Sequence, residues 1–264
     1  MSKALYVECS SGISGDMTVA ALLDIGADRN KLERVLKSIP VEGFKTEITR
    51  VKKAGIDCCD FNVILDSEHE NHDHDMEYLY GHTHGNDGHG HSHSHHDGHS
   101  DHGHEHGSGH KESEAHRHGH EYEHEHTHAH RGMKEIRQIL DATEMSDKSR
   151  ALALKIFDIL AAAEARAHGC DIEDVHFHEV GAVDSIVDII SIAVCFDDLG
   201  IDEVIIPEIC EGRGSVRCQH GILPVPVPAV LNIASGHGLK LHIMDAEGEF
   251  VTPTGAAFAA AVGT

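Results

Sequence analysis

The stretch Ala4-Leu-Tyr-Val-Glu-Cys9, followed by Ser10-Ser-Gly-Ile-Ser-Gly-Asp16, reads as a short buried strand running into a small-residue turn. Helical periodicity then covers Met17–Ile25, and Gly26 closes it. Strand, Gly/Ser turn and helix N-terminus, in that order, open an α/β unit. The free backbone N–H groups at such a helix start suit an anion. Ser14, Gly15 and Asp16 are therefore candidates for holding a phosphate. A tight turn capped by Asp is equally compatible, because neither G-x-x-x-x-G-K-[ST] nor G-x-G-x-x-G occurs in the chain.

Outward from that unit, helices and strands alternate. A second helix fits Asn30–Ile39. Phe44–Arg50 and Ile56–Leu65 form a hairpin turning through Lys52-Lys53 and Ala54-Gly55. Beyond residue 130, Lys134–Ala142 is a short helix, and Ser146 caps a long one over Lys148–Ala167. The apolar face of the long helix is Leu152, Leu154, Ile156, Ile159 and Leu160. Ile201–Glu208 reads as a buried strand. Gly212–Gly221 reads as a glycine-flexed loop carrying Arg213, Arg217 and His220; two arginines there can clamp a phosphate or carboxylate, or simply be solvated. The prolines of Ile222–Pro228 enforce an extended lead-in to a helix over Ala229–Ala234, and Leu239–Asp245 is a strand. Thr252-Pro253-Thr254-Gly255 opens a last helix and a second candidate anion site; that helix runs out at Thr264 after barely three turns. The expected fold class is α/β: a mixed sheet with flanking helices.

The densest chemistry is Asp174-Val-His176-Phe-His178-Glu179-Val-Gly181-Ala-Val-Asp184-Ser-Ile-Val-Asp188. His176 and His178 alternate with Val175 and Phe177, so an extended segment puts both imidazoles on one face. Asp184 and Asp188 lie one turn apart on a helix starting near Ala182. Two histidines with one or two carboxylates make a sufficient ligand set for a divalent ion with open positions, here His176, His178, Glu179 and Asp184. A turn capped by two hydrogen-bonded histidines is the plainer alternative, and proton transfer by His178 stays open.

Composition divides the chain. It has 264 residues, 45 Asp+Glu against 21 Lys+Arg, a formal charge of −24, and 28 histidines. Between His69 and His130 lie 22 of those histidines, 13 acidic residues and only Lys111 and Arg117, so this segment carries −11 (2 minus 13) and the remainder −13. Its aliphatic residues are Met76, Leu79, Ala115 and Ala129. Such a segment buries too little apolar area to offset its ordering entropy. It is expected to be a disordered, His-rich, metal-binding insertion at 69–130, between 1–68 and 131–264 of one α/β domain. Neutral imidazoles one residue apart, as in His89-Gly-His91-Ser-His93-Ser-His95, bind Ni, Zn or Cu. Falling pH through about 6.5 protonates them and releases metal.

The strong negative charge argues against nucleic acid or an anionic membrane as partner. No run of 18 apolar residues exists, and the N-terminus lacks the apolar core and cleavage site of a signal peptide, so a cytoplasmic protein is expected. Seven cysteines without any C-x-x-C point to buried free thiols rather than disulfides or a zinc ribbon.

With these residues in hand, the sequence resembles the LarC family of nickel insertion proteins. The resemblance rests on Ser11-Gly12-Ile13-Ser14-Gly15-Asp16-Met17, on His176-Phe-His178-Glu179-Val-Gly181-Ala-Val-Asp184-Ser-Ile-Val-Asp188, on His220-Gly-Ile-Leu-Pro-Val-Pro-Val-Pro228, and on Thr252-Pro-Thr-Gly-Ala256. The His-rich insertion fits as well. Glu8 stands where the family usually has Asp, and Ser10 where it usually has an aromatic. The resemblance implies a cyclometallase of the lyase class that inserts nickel into pyridinium-3,5-bisthiocarboxylic acid mononucleotide, giving the nickel-pincer cofactor of lactate racemase-type enzymes. It further implies CTP and a divalent cation (Mn or Mg), bound by a C-terminal domain that this chain is expected to lack and that a partner chain would supply. On this reading Ser14, Gly15, Asp16, Arg213, Thr252, Thr254 and Gly255 hold the mononucleotide. His176, His178, Glu179 and Asp184 hold Ni(II), and His178, Glu179 or His220 takes the ring proton displaced by the Ni–C bond. Two other readings stay open at this level: a nickel-buffering metallochaperone without catalysis, and a metal-dependent enzyme acting on a phosphorylated small molecule.

Overall fold

The helix Val183–Leu199 is apolar over most of its surface, apart from Asp184, Ser185 and Asp188 near its start and Asp197 and Asp198 near its end, and it forms the hub of the molecule. Val183, Ile186, Val187, Ile189, Ile190, Ile192, Ala193, Val194 and Cys195 are all buried, so this helix has neighbours all round rather than one solvent face. The computed structural model describes residues 2–66, 131–175, 177, 183–218 and 220–263, all within one compact unit. The His-rich insertion expected at 69–130 lies outside the described residues.

Fourteen elements follow in chain order among the described residues, apart from one short 3-10 turn at Ile172–Asp174. They are β1 (Ala4–Tyr6), α1 (Gly15–Asp24), α2 (Arg29–Leu36), β2 (Phe44–Lys53), β3 (Ile56–Leu65), α3 (Met133–Ala142), α4 (Asp147–His168), α5 (Val183–Leu199), β4 (Glu203–Ile205), β5 (Ile209–Cys218), β6 (Gly221–Val225), α6 (Pro228–His237), β7 (Leu241–Glu247) and α7 (Pro253–Val262). Helix α5 packs against α1, α2, α4 and β3, while α4 also packs against α6 and α7.

The expected α/β class holds, but the strands do not join one mixed sheet. They form three small ones: β1 with β4 in parallel, β2 with β3 antiparallel, and β6-β5-β7 with one antiparallel and one parallel pairing. The division has local causes. The N-terminal strand ends at Tyr6 rather than Cys9, and Cys9 contributes only a single parallel bridge to Ile209. The strand expected over Ile201–Glu208 shrinks to Glu203–Ile205, with only Val204 buried, so neither segment is the continuous buried strand its apolar run suggested. Most apolar area is buried between helices instead.

The largest correction concerns Gly212–Gly221. This segment is not a loop: it lies largely in β5, which pairs on one side with β6 (Gly214↔Val225, Cys218↔Gly221) and on the other with β7 (Ile209↔Leu241, Arg213↔Glu247). Glycine content argued for a loop, but pairing with β7 up to Arg213 and with β6 from Gly214 on supplies the backbone partners that outweigh it. Elsewhere the caps act where the sequence put them. Ser146 Oγ accepts the Ser149 N–H at 3.0 Å to start α4, and Gly169, in the left-handed region, ends it. The hairpin β2–β3 pairs in register from Phe44↔Leu65 to Lys53↔Ile56 through Ala54-Gly55. No helix among the described residues is long and apolar enough to cross a membrane.

Candidate functional site

The turn after β1 and the start of α7 meet. Ile13 N–H donates to Phe250 O at 2.9 Å, and Thr252 N–H donates to Ile13 O at 3.1 Å. Ile13 and Val251 form a parallel bridge. This places the two motifs that sequence reading kept as separate anion sites side by side, with Ser14 as N-cap of α1 and Thr252 as N-cap of α7. The approach is backbone on backbone. A Cβ on Gly255 would sit 2.2 Å from Ile13 O, so only glycine fits there.

A third helix start joins them. A Cβ on Gly15 would lie 2.4 Å from Asp188 Oδ2, so the first turn of α1 rests directly on α5. The Asp16 N–H donates to the Asp188 carboxylate. Burial raises the Asp188 carboxyl well above the ordinary carboxylate range; the nearby charges of Asp16 and then Asp184 raise it further, against the opposing pull of that N–H. Asp188 Oδ1 has no hydrogen-bond partner among the described residues. Three carboxylates therefore gather where α1 and α5 begin, and the field of one falls on the next.

This arrangement changes the reading of the first motif. The N–H groups that would cradle a phosphate at α1 are already engaged: Asp16 N–H with Asp188, Met17 N–H with Ser14 Oγ at 3.4 Å, and Thr18 N–H with Ser14 O at 3.1 Å. Ser14 Oγ also donates to Asp16 Oδ1. With its donors committed and acidic groups around it, the α1 start favours a cation. At α7, Thr252 Oγ1 accepts the Gly255 N–H at 3.3 Å, Thr254 is buried, and no acidic residue stands in the first turn. That helix start keeps the electrostatics an anion needs.

The other sequence-predicted residues fall as follows. His176, His178 and Glu179 lie outside the described residues, between the turn Ile172–Asp174 and α5. Asp184 occupies the first turn of α5. Arg213 sits exposed on β5, with its guanidinium ion-paired to Asp245 of β7. His220 is exposed in the turn joining β5 to β6, its ring 5.0 Å from that of His168 at the end of α4. His168 in turn is 3.5 Å from Glu164. Among the described residues, no three His, Cys, Asp or Glu side chains already converge on one metal position.

The thiols are uninvolved. All seven cysteines are free; burial pushes Cys9 up to about 11 and Cys195 to about 12, so both are neutral thiols near pH 7 and poor metal ligands. Cys170, however, is exposed and Cys58 and Cys210 are half-buried, so the expectation of buried thiols holds for four of the seven. Two open grooves, of about 290 and 460 Å³, lie beside the hairpin and beside α2, and none of the predicted site residues lines them. Sequence reading missed Asp188 as a site residue, although its spacing from Asp184 put both on one face of α5. It also missed the meeting of the two helix starts, for which no local signal exists.

The comparisons with known proteins agree with the motifs. The profile of the nickel insertion protein family matches residues 5–264. The chain belongs to the nickel insertion protein family. Among its relatives, the pyridinium-3,5-bisthiocarboxylic acid mononucleotide nickel insertion protein of Alkaliphilus metalliredigens is 49% identical over 264 residues, which is 100% of this chain and 53% of that protein. The proteins of the same name from Akkermansia muciniphila and Geobacillus kaustophilus are 38% and 37% identical, over 98% and 96% of this chain and 51% and 49% of their own length. The chain spans about half the length of the curated relatives it matches. No solved structure matches it.

Proposed function

We propose that this chain is the metal- and mononucleotide-holding part of a protein that inserts nickel into pyridinium-3,5-bisthiocarboxylic acid mononucleotide. The observation that carries the reading is Asp188, against which Gly15 rests and which feels the charges of Asp16 and Asp184, set beside an α7 start whose first turn holds no acidic residue. Nickel is the substrate metal. Oxygen donors hold it loosely compared with thiolates, so it passes readily to thiocarboxylate sulfur. Asp16, Asp184 and Asp188 supply those oxygens, and His176, His178 and Glu179, which precede α5 in the chain, supply imidazole and a further carboxylate. The phosphate of the mononucleotide goes to the start of α7 at Thr252, Thr254 and Gly255. Ser14 and Gly15 hold the two helix starts together, and Arg213 is left to its pairing with Asp245.

Making the Ni–C bond releases a ring proton, and His178, Glu179 or His220 accepts it. CTP, with Mn or Mg, belongs by resemblance to a C-terminal partner part. The His-rich insertion collects nickel and delivers it. The deciding experiment supplies substrate, CTP and Ni to the chain, with and without the C-terminal part of a relative, and seeks the nickelated product by mass spectrometry. Product formation that is lost in His178→Ala supports the reading. Binding of several nickel ions without product under both conditions identifies a nickel-buffering metallochaperone instead. Deleting residues 69–130 is expected to raise the nickel concentration needed for half-maximal rate while sparing the rate at saturating nickel; loss at every nickel level contradicts a delivery role.

A further inference from the structure

A buried carboxylate that no motif singled out holds the two helix starts in place. Glu211 lies on β5 with its side chain fully buried. Its Oε1 accepts three backbone N–H groups: Gly212 at 2.8 Å, Phe250 at 2.8 Å and Val251 at 3.2 Å. Its Oε2 is buried and has no hydrogen-bond partner among the described residues. Three donors on one oxygen call for a side-chain oxygen acceptor placed within reach of all three. An aliphatic residue at this position would leave three buried N–H groups without partners.

The two residues Glu211 holds are the ones that hold the site. Phe250 O accepts the Ile13 N–H, Val251 bridges Ile13, and Ile13 O accepts the Thr252 N–H. Ile13 immediately precedes the N-cap of α1, and Thr252 is the N-cap of α7. We infer that Glu211 is a positioning residue: it clasps the Phe250–Val251 backbone and so sets the distance between the cation-favouring start of α1 and the anion-favouring start of α7. Glu211 touches no reacting atom. The inference rests on the reading of those two helix starts as the nickel and mononucleotide ends of one site.

The test uses the full chain and Glu211→Ala and Glu211→Gln. Amide hydrogen exchange by mass spectrometry follows peptides covering residues 10–18 and 246–256, with the hairpin 44–65 as internal control. Calorimetry measures binding of nicotinic acid mononucleotide, a pyridinium mononucleotide without the thioacids. Glu211→Ala is expected to speed exchange at least tenfold in both peptides but not in the hairpin, and to weaken the mononucleotide at least tenfold. Glu211→Gln keeps an oxygen acceptor and is expected to restore both within about threefold. If Glu211→Ala does not fold, Glu211→Met, which fills the space but offers the three N–H groups no oxygen acceptor, takes its place with the same expected rise confined to the two peptides. Unchanged exchange in either peptide, or a rise spread equally over the hairpin, overturns it. If the unsubstituted chain fails to bind the mononucleotide while exchange responds as expected, the clasp stands and the ligand assignment falls.

Discussion

The hairpin β2–β3 and the junction of α1, β5 and α7 are each tied down by a carboxylate, and the two carboxylates meet opposite surroundings. Asp24, at the end of α1, accepts the Cys59 N–H of β3 at 2.8 Å and pairs with Arg50 of β2, which reaches on to Asp57 at 2.6 Å. Its cation is at hand and water is near, so the contact is complete. Glu211 has three N–H donors and, among the described residues, no ion pair and one buried oxygen without a hydrogen-bond partner. Asp188 carries the same signature, with one orphaned oxygen and like charges around it. A completed carboxylate stabilises the fold and does little else. Glu211 and Asp188 instead flank the junction of α1 and α7, the one through Phe250 and Val251 and the other through Gly15.

The comparison is broken most directly at two glycines. Gly255→Ala drives a Cβ into the Ile13 carbonyl at 2.2 Å and to within 2.9 Å of Ser14 N, both backbone atoms that have no room to yield. The expected cost is on the order of 3 kcal/mol, with mononucleotide binding lost. Gly55→Ala, in the hairpin turn, meets nothing within 4 Å and suffers only from its φ of +83°. Its expected cost is about 1 kcal/mol. Urea denaturation of both variants checks the ranking; equal costs would show that the junction is no more tightly built than an ordinary turn.

Asp24→Ala is expected to cost about 1 kcal/mol, the net worth of one backbone hydrogen bond, with the exposed Arg50 pairing adding little. The Cys59 N–H first, and then Arg50, hold the Asp24 carboxyl below the ordinary range. Its contribution is therefore present above about pH 4 and lost as pH falls through the lowered native value. Unfolding curves measured from pH 7 downward should separate the variant from the parent at pH 7 and show the gap closing as pH falls below about 4. Nickel and mononucleotide binding should not move; a change in either would place the hairpin in the site.

These contrasts explain what the sequence made legible. The hairpin was readable to within a few residues, because strand alternation and the Ala54-Gly55 turn are local signals. The caps at Ser146 and Thr252 were readable for the same reason. Gly212–Gly221 was misread because its glycines, and Pro224 in the neighbouring partner Gly221–Val225, argue against strands, while the partner of Arg213, Glu247, lies over thirty residues on. Glu211 was passed over because its three donors come partly from Phe250 and Val251, forty residues away. Asp184 and Asp188 were visible as one helix face, but that Gly15 would rest on Asp188 depends on α1 and α5 packing together, which only the assembled core decides.

The smallest expected effect is also the sharpest in sign. Asp188→Asn keeps the shape of the side chain and an acceptor for the Asp16 N–H, so at a pH where Asp188 is neutral the two proteins should differ by no more than about 0.5 kcal/mol. Burial and the charges of Asp16 and Asp184 raise the Asp188 pKa in the folded chain, so the folded state holds a proton that the unfolded state has already released. The parent's stability should accordingly be highest near pH 4 and fall as pH rises through the raised native value, while Asp188→Asn loses that slope. Thermal melts of nickel-free protein from pH 4 to pH 8 should then show the variant drawing ahead as pH rises. Added nickel should restore the parent at high pH, since a cation beside Asp16, Asp184 and Asp188 relieves the repulsion that ionising Asp188 creates, and should do less for the variant. A gap that widens toward low pH instead, or a nickel response of equal size in both proteins, would place Asp188 with Asp24 among the carboxylates that only hold the fold.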